Sequence, residues 1–154
     1  MNLRNIKIIF SDVDGVLTDG KLLIYNNGIY GKIFNTRDGQ GIEMALSKGV
    51  KIYWITGRKD YSTEIRASEL GVVYIYTNGK NKWEIIQEIL QQEGINADEA
   101  IYVGDDFPDT VVANHLEFWV PQDAHFTAKE RANHIIPING GDGVLRYVID
   151  KIIQ

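Results

Sequence analysis

The 154-residue sequence contains no cysteine. That absence excludes disulfides, thiolate metal sites and cysteine nucleophiles together, leaving oxygen and nitrogen side chains to carry any chemistry. Positive charge is also scarce, with 16 Lys and Arg against 21 Asp and Glu and a formal net charge of -5. Neither the sign nor the clustering of charge suits a polyanionic surface, so nucleic acid and membrane are set aside as partners. No apolar run approaches the length that crosses a bilayer, and the opening MNLRNIKIIF has too short an apolar stretch for a signal peptide, which makes a cytoplasmic location the expectation. Repeats and low-complexity linkers are absent as well. A chain of this length is expected to form one domain, residues 1–154, with a hydrophobic core of its own.

What the sequence does have is a rhythm. Short apolar, β-branched runs recur at residues 6–10, 50–55, 72–76, 100–103 and 117–120, and more weakly at 134–136. Stretches with helical spacing separate most of them, at 41–48, 61–70, 82–93 and 109–114. Near-continuous apolar strands alternating with helices predict a parallel sheet covered on both faces, a doubly wound, Rossmann-like α/β fold. One segment breaks the alternation: KLLIYNNGIYGKIF, residues 21–34, reads as a β-hairpin flap turning at Asn26-Asn27-Gly28. The last stretch, 143–154, carries Val144, Leu145, Val148, Ile149, Ile152 and Ile153 on one stripe. It reads as a helix docked on its own sheet, with a subunit seam as the alternative.

In an open α/β sheet, ligands bind beyond the carboxyl ends of the strands, so the residues after each apolar run belong together. After the first run come Asp12 and Asp14, and after the second Thr56, Gly57 and Arg58. Lys80 and Lys82 follow the third, and Asp105, Asp106 and Asp109 the fourth. Clustered carboxylates suit a hard, oxygen-loving cation such as Mg²⁺, which would relieve their mutual repulsion. With the cation present, a carboxylate can approach a phosphate monoester and attack it, passing through an aspartyl-phosphate, while a lysine and a hydroxyl orient the phosphoryl oxygens. Asp19 is assigned to turn chemistry with Gly20. On residue type alone, Lys80 and Lys82 compete equally for the phosphate.

Four stretches, DVDGVLTDG, ITGR, the NK at 81 and 82, and GDDFPD, resemble in order the signatures of the haloacid dehalogenase superfamily. FNTRDGQGI, VPQDAH and GGDGVLR narrow the resemblance to its capless sugar-acid phosphatases, which act on 3-deoxy-D-manno-octulosonate 8-phosphate or on nonulosonate 9-phosphates. The resemblance implies Asp12 as nucleophile and magnesium ligand, and Asp14 as the acid and base that also lends the metal its backbone carbonyl. It implies Thr56, Gly57 and Lys82 around the phosphoryl group and Asp105 as a further metal ligand. Arg58, Arg37, Arg66, Asp106 and Asp109 are candidates for contact with substrate, and arginine at 58 leans toward the octulosonate. Because neither gap between motifs holds a cap insert, the resemblance also implies a homotetramer. In it neighbouring subunits close the site through the flap, about 21–36, and the tail, about 139–154. Alternatives are a nonulosonate 9-phosphate phosphatase, a phosphatase-like domain of the kind appended to cytidylyltransferases, and a non-catalytic tetramerisation module.

Overall fold

The structure, a computed structural model, describes residues 3–154. Six parallel strands form the sheet: β1 (Ile8–Ser11), β4 (Lys51–Thr56), β5 (Val73–Tyr76), β6 (Ala100–Val103), β7 (Glu117–Pro121) and β8 (His134–Ile136). The hairpin strands β2 (Leu23–Ile24) and β3 (Tyr30–Gly31) pair with each other outside it. Helices are α1 (Thr36–Ser47), α2 (Tyr61–Leu70), α3 (Lys82–Glu93), α4 (Phe126–Arg131) and α5 (Val144–Ile153). The strand order β5-β4-β1-β6-β7-β8 reverses direction at β1, which opens a crevice where β1 and β6 end. The doubly wound fold expected from the sequence is therefore the fold observed. No helix among the described residues is long and apolar enough to cross a membrane.

Both faces of the sheet are buried at its centre, which is why β1, β6 and β7 lack a polar alternation, whereas the edge strands β5 and β8 carry exposed residues. Ile9, Ile52, Trp54, Ile101 and Val103 point to one core, shared with α1 and α5. Ile8, Phe10, Ile55, Tyr102 and Phe118 point to the other, beneath α3 and α4. Each fully buried Ile or Phe contributes roughly 1.5–3 kcal/mol of transfer free energy, so removing either set would unfold the sheet. The apolar stripe of α5 is covered by this chain itself: Val144, Leu145, Val148, Ile149 and Ile152 are buried in the first core.

Three elements depart from the sequence expectation, each for a local reason. Helix α1 starts at Thr36 rather than near residue 41, because the Asn35 side chain accepts the Arg37 N–H (2.9 Å) and caps it. Gly39 and Gly41 hide that first turn in the sequence, since glycine costs about 1 kcal/mol in a helix. Here close packing favours them: a Cβ on Gly41 would lie 3.2 Å from the Cα of Arg146 in α5, and one on Gly39 would displace the end of the Arg66 side chain, 2.4 Å from its Nη2. The helix expected at 109–114 is instead a 3-10 turn, Phe107–Val112. Helix α4 was not anticipated, since six residues are too few to show a period.

The hairpin forms as expected, with Gly28 at φ +78° and the Tyr25 N–H donating to Ile29 O (3.0 Å). It leaves Leu23, Ile24, Tyr25, Ile29, Tyr30 and Ile33 exposed. Residues 139–143 are packed on the chain's own loop after β1. Gly141 N–H donates to Val16 O (3.0 Å), Gly140 N–H to Asp123 Oδ1 (2.8 Å), and Asn35 Nδ2 to Gly141 O (3.1 Å). A Cβ on Gly140 would come within 2.1 Å of Gly15 O, so this glycine serves close approach rather than slack.

Candidate active site

Asp12 continues β1 by one residue: its N–H donates to Val103 O (2.8 Å), which ties the loop to the end of β6. Its Oδ1 accepts the Val13 N–H (2.6 Å), and its Oδ2 lies 2.8 Å from Lys82 Nζ. Lys82 opens α3, where Asn81 accepts the Trp83 N–H and caps the helix. The lysine is only 6% exposed, and its Nζ also meets Asp109 Oδ1 (2.6 Å) and the Tyr102 hydroxyl (3.0 Å). Burial acts to lower the Lys82 pKa, but the charges of Asp12 and Asp109 outweigh it and push it up.

Asp109 is the hub beneath this pair. Its Oδ1 also accepts the Tyr102 O–H (2.5 Å), and its Oδ2 accepts the backbone N–H groups of Asp105 (2.9 Å) and Asp106 (3.1 Å). It is fully buried, and it fits only because residue 104 is glycine: a Cβ there would lie 2.5 Å from Asp109 Cγ.

Asp12, Asp105 and Asp109 each offer a carboxylate oxygen within 4.8 Å of the others. Burial, followed by the charge of Asp109, raises the Asp12 pKa from the ordinary carboxylate range to about 7, against the opposing pull of Lys82. Burial, followed by Asp12 and Asp109, raises Asp105 to about 8. Asp105 Oδ1 is buried with no hydrogen-bond partner, and its carboxylate occupies the space where a Gly15 Cβ would lie, 1.9 Å from Oδ2. An unpartnered oxygen among like charges, with acidic groups converging on it, fits a hard divalent cation. Since four donors already occupy Asp109, Asp12 and Asp105 are the carboxylates with capacity to hold it.

The raised values predict a pH dependence. Between about pH 4 and 8 the folded, metal-free protein retains protons that the unfolded chain has released, so its stability falls as pH rises through that window. A cation bound there displaces those protons. Magnesium is therefore expected to raise the melting temperature little at pH 5 and strongly at pH 8. Equal gains at both pH values in thermal unfolding would count against a cation held by Asp12 and Asp105.

Asp14 lies across the same loop, its Oδ1 2.8 Å from Lys32 Nζ and its Oδ2 3.9 Å from Arg58 Nε. Lys32 also pairs with Asp60 (2.6 Å), the residue that caps α2. Burial acts against a charged Asp60, but Lys32 and Thr63 outweigh it and hold its pKa below the usual range. Thr56 ends β4, buried, with its Oγ1 accepting the Arg58 N–H (3.1 Å). Asp12, Asp14, Thr56, Gly57, Arg58 and Lys82 all line an open cleft of about 790 Å³, together with Tyr76, Lys80 and Val111. A groove of about 730 Å³ lies at the opposite rim, where strands begin, among Asn5, Asn96, His115 and Glu117. The strand-end rule selects the first.

Other candidates lie elsewhere. Arg37 is exposed on the first turn of α1, and Arg66 packs between α1 and α2, pairing with Glu69 (3.2 Å). Asp106 is exposed and caps the 3-10 turn, and Asp109 faces the lysine from below instead of the cleft. The pattern at 123–125 acquires a structural role, because the His125 N–H donates to Asp105 O (2.8 Å) while Asp123 holds Gly140. Lys32, Asp60 and Tyr102 were missed. Only Tyr102 left a trace, a hydroxyl inside an otherwise apolar strand.

A family model described as haloacid dehalogenase-like hydrolase matches residues 57–148. The chain is 39% identical over 151 residues to the 3-deoxy-D-manno-octulosonate 8-phosphate phosphatase of Salmonella typhi, covering 97% of this chain and 80% of that protein. The corresponding phosphatase of Haemophilus influenzae, solved in a cobalt-bound form, superposes with a TM-score of 0.93 at 32% identity, over 100% of this chain and 91% of that one. The Moraxella catarrhalis phosphatase, solved with magnesium, phosphate and KDO, gives a TM-score of 0.92 at 28% identity, over 99% and 88%. Sequence likeness along nearly the whole chain thus coincides with likeness of fold, and among the described residues only the hairpin interrupts the path from β1 to α1. The chain belongs to the haloacid dehalogenase-like hydrolase family, in its capless sugar-acid phosphatase subgroup.

Proposed function

We propose that the protein is a magnesium-dependent phosphatase that hydrolyses 3-deoxy-D-manno-octulosonate 8-phosphate through an aspartyl-phosphate on Asp12. The observation that carries this reading is that Asp12, just after β1, and Lys82, at the start of α3, meet in the wall of one strand-end cleft, while Asp105 from the loop after β6 brings a carboxylate with one unpartnered oxygen within 4.8 Å of Asp12. The related phosphatases of Salmonella typhi and Moraxella catarrhalis support the substrate and the cation.

In the first step an Asp12 carboxylate oxygen attacks phosphorus while the bond from phosphorus to the sugar oxygen breaks, and Asp14 gives its proton to that leaving oxygen. In the second, water attacks the phosphorus of the acyl phosphate and Asp14 takes a proton from it, releasing inorganic phosphate and restoring Asp12. Lys82 and the Thr56 and Gly57 turn hold the equatorial oxygens, and Lys82 balances the charge that gathers there. A magnesium ion bound by Asp12, Asp105 and the Asp14 carbonyl would screen the nucleophile from the anionic substrate. Arg58 is suited to a sugar carboxylate, being exposed at the cleft edge with a guanidinium fork.

The open cleft and the exposed apolar hairpin support a homotetramer in which neighbouring hairpins close the mouth. Purified protein with magnesium is expected to release phosphate from the octulosonate ester well ahead of nonulosonate 9-phosphates, and to lose that activity in chelator. Preference for a nine-carbon ester would reassign the substrate. Release that does not depend on magnesium would refute the part given to the cation, and no release at all would refute the reading in favour of a scaffold.

A further inference from the structure

The hairpin presents an apolar outer surface, but one side chain leaving it turns inward. Lys32 follows β3 directly, and its side chain is fully buried. Its Nζ lies 2.8 Å from Asp14 Oδ1, 2.6 Å from Asp60 Oδ2 and 3.4 Å from Thr63 Oγ1. A buried ammonium carries a heavy desolvation cost unless close opposite charges offset it, so this lysine is held by its two carboxylates. Of these, Asp60 is anchored: it accepts the Thr63 N–H (2.9 Å) and the Thr63 hydroxyl (2.8 Å) as the cap of α2.

Asp14 is the freer partner, 26% exposed and lining the cleft. Its Oδ1 makes no aligned hydrogen bond in the protein, so the Coulombic contact with Lys32 is what locates that oxygen. Its Oδ2 is approached only distantly by Arg58, at 3.9 Å. One carboxylate oxygen is thus fixed toward a helix cap, and the other is left for the cleft.

We propose that Lys32 is a positioning residue for Asp14, making the docking of the hairpin and the orientation of that carboxyl a single event. The inference rests on the reading of Asp14 as proton donor given above. Orientation governs how well the donor reaches the departing oxygen, so the loss should be greatest for esters whose leaving group needs a proton.

The test compares phenyl phosphate with p-nitrophenyl phosphate, two probes of similar shape whose leaving groups differ in basicity. The readout is kcat/KM, which covers only the steps through phosphoryl transfer to Asp12. Lys32→Met is expected to lower it for phenyl phosphate about tenfold more than for p-nitrophenyl phosphate. Equal losses on both esters, or no loss on either, would overturn the proposal. Should the single variant not fold, Lys32→Met with Asp60→Asn removes one charge of each sign and keeps an acceptor for the Thr63 N–H, and the same comparison decides. Wild-type protein and Asp12→Asn are run alongside. Hydrolysis by the former and none by the latter leaves the phosphatase reading standing whatever Lys32 does, whereas a wild type inert toward both esters overturns both.

Discussion

Asp12→Asn is expected to lower turnover of the sugar phosphate by at least about 10⁴-fold, the scale on which removal of a nucleophile is felt in enzymes that form covalent intermediates. The change keeps volume and retains one oxygen to accept the Val13 N–H, now 2.6 Å away. Lys82 keeps Asp109 and Tyr102 as partners. The amide nitrogen at position 12 would face Lys82, but at pH 8 the change also removes a carboxylate whose pKa burial raises to about 7, so the two effects oppose and the metal-free variant should remain folded there. Phosphate release and thermal unfolding, measured on the same preparation, separate lost chemistry from lost fold. Near-normal turnover in a folded variant would exclude Asp12 as the nucleophile.

Asp109→Asn carries the largest expected effect on stability, although the residue does not line the cleft. The carboxylate serves four donors: Lys82, the Tyr102 hydroxyl and the N–H groups of Asp105 and Asp106. An amide has one oxygen, and its nitrogen must face some of those donors. Breaking a buried ion pair in this way costs about 3–5 kcal/mol. In a chain of this length that corresponds to a melting temperature lower by roughly 10 °C. Turnover should fall about 10²-fold as well, since Lys82 and the Asp105 loop lose their common anchor. Asp106→Ala, which removes only an exposed cap of the following turn, serves as the contrast and should cost about 1 kcal/mol. A melting temperature for Asp109→Asn no lower than that of Asp106→Ala would show that the hub holds nothing.

Much of the fold was legible because strand burial on two faces leaves a direct trace, runs of β-branched residues with no polar alternation. β6 and β8 were located to the residue, and so were α2 and α3 from their helical spacing; in the structure Asp60 and Asn81 cap those two helices and Gly71 and Gly94 end them. The first turn of α1 was hidden because Gly39 and Gly41 answer to packing against α2 and α5, a requirement that local propensity cannot express. The sequence assigned the tail glycines no local contact, and the structure packs Gly140 and Gly141 against the loop after β1.

The candidate site divides in the same way. Asp12, Asp14, Thr56, Lys82 and Asp105 could be nominated from sequence because each stands just past a strand or opens a helix, where residue type and position together suggest chemistry. The sorting of the remaining candidates could not be done that way. Arg58 reaches the cleft while Arg37 and Arg66 do not, and Asp109 lies beneath the lysine rather than beside a substrate.

By itself, the sequence determined the class of fold, the rim on which the chemistry gathers and the kind of ion that gathering calls for, because these follow from periodicity and from residue type at strand ends. Only the tertiary structure decided which charges meet. Lys32 reaches Asp14 from the hairpin, Tyr102 reaches Asp109 through the sheet, and Asp105 keeps a buried oxygen with no hydrogen-bond partner. Such distances depend on how separate elements stack, and no local pattern records them.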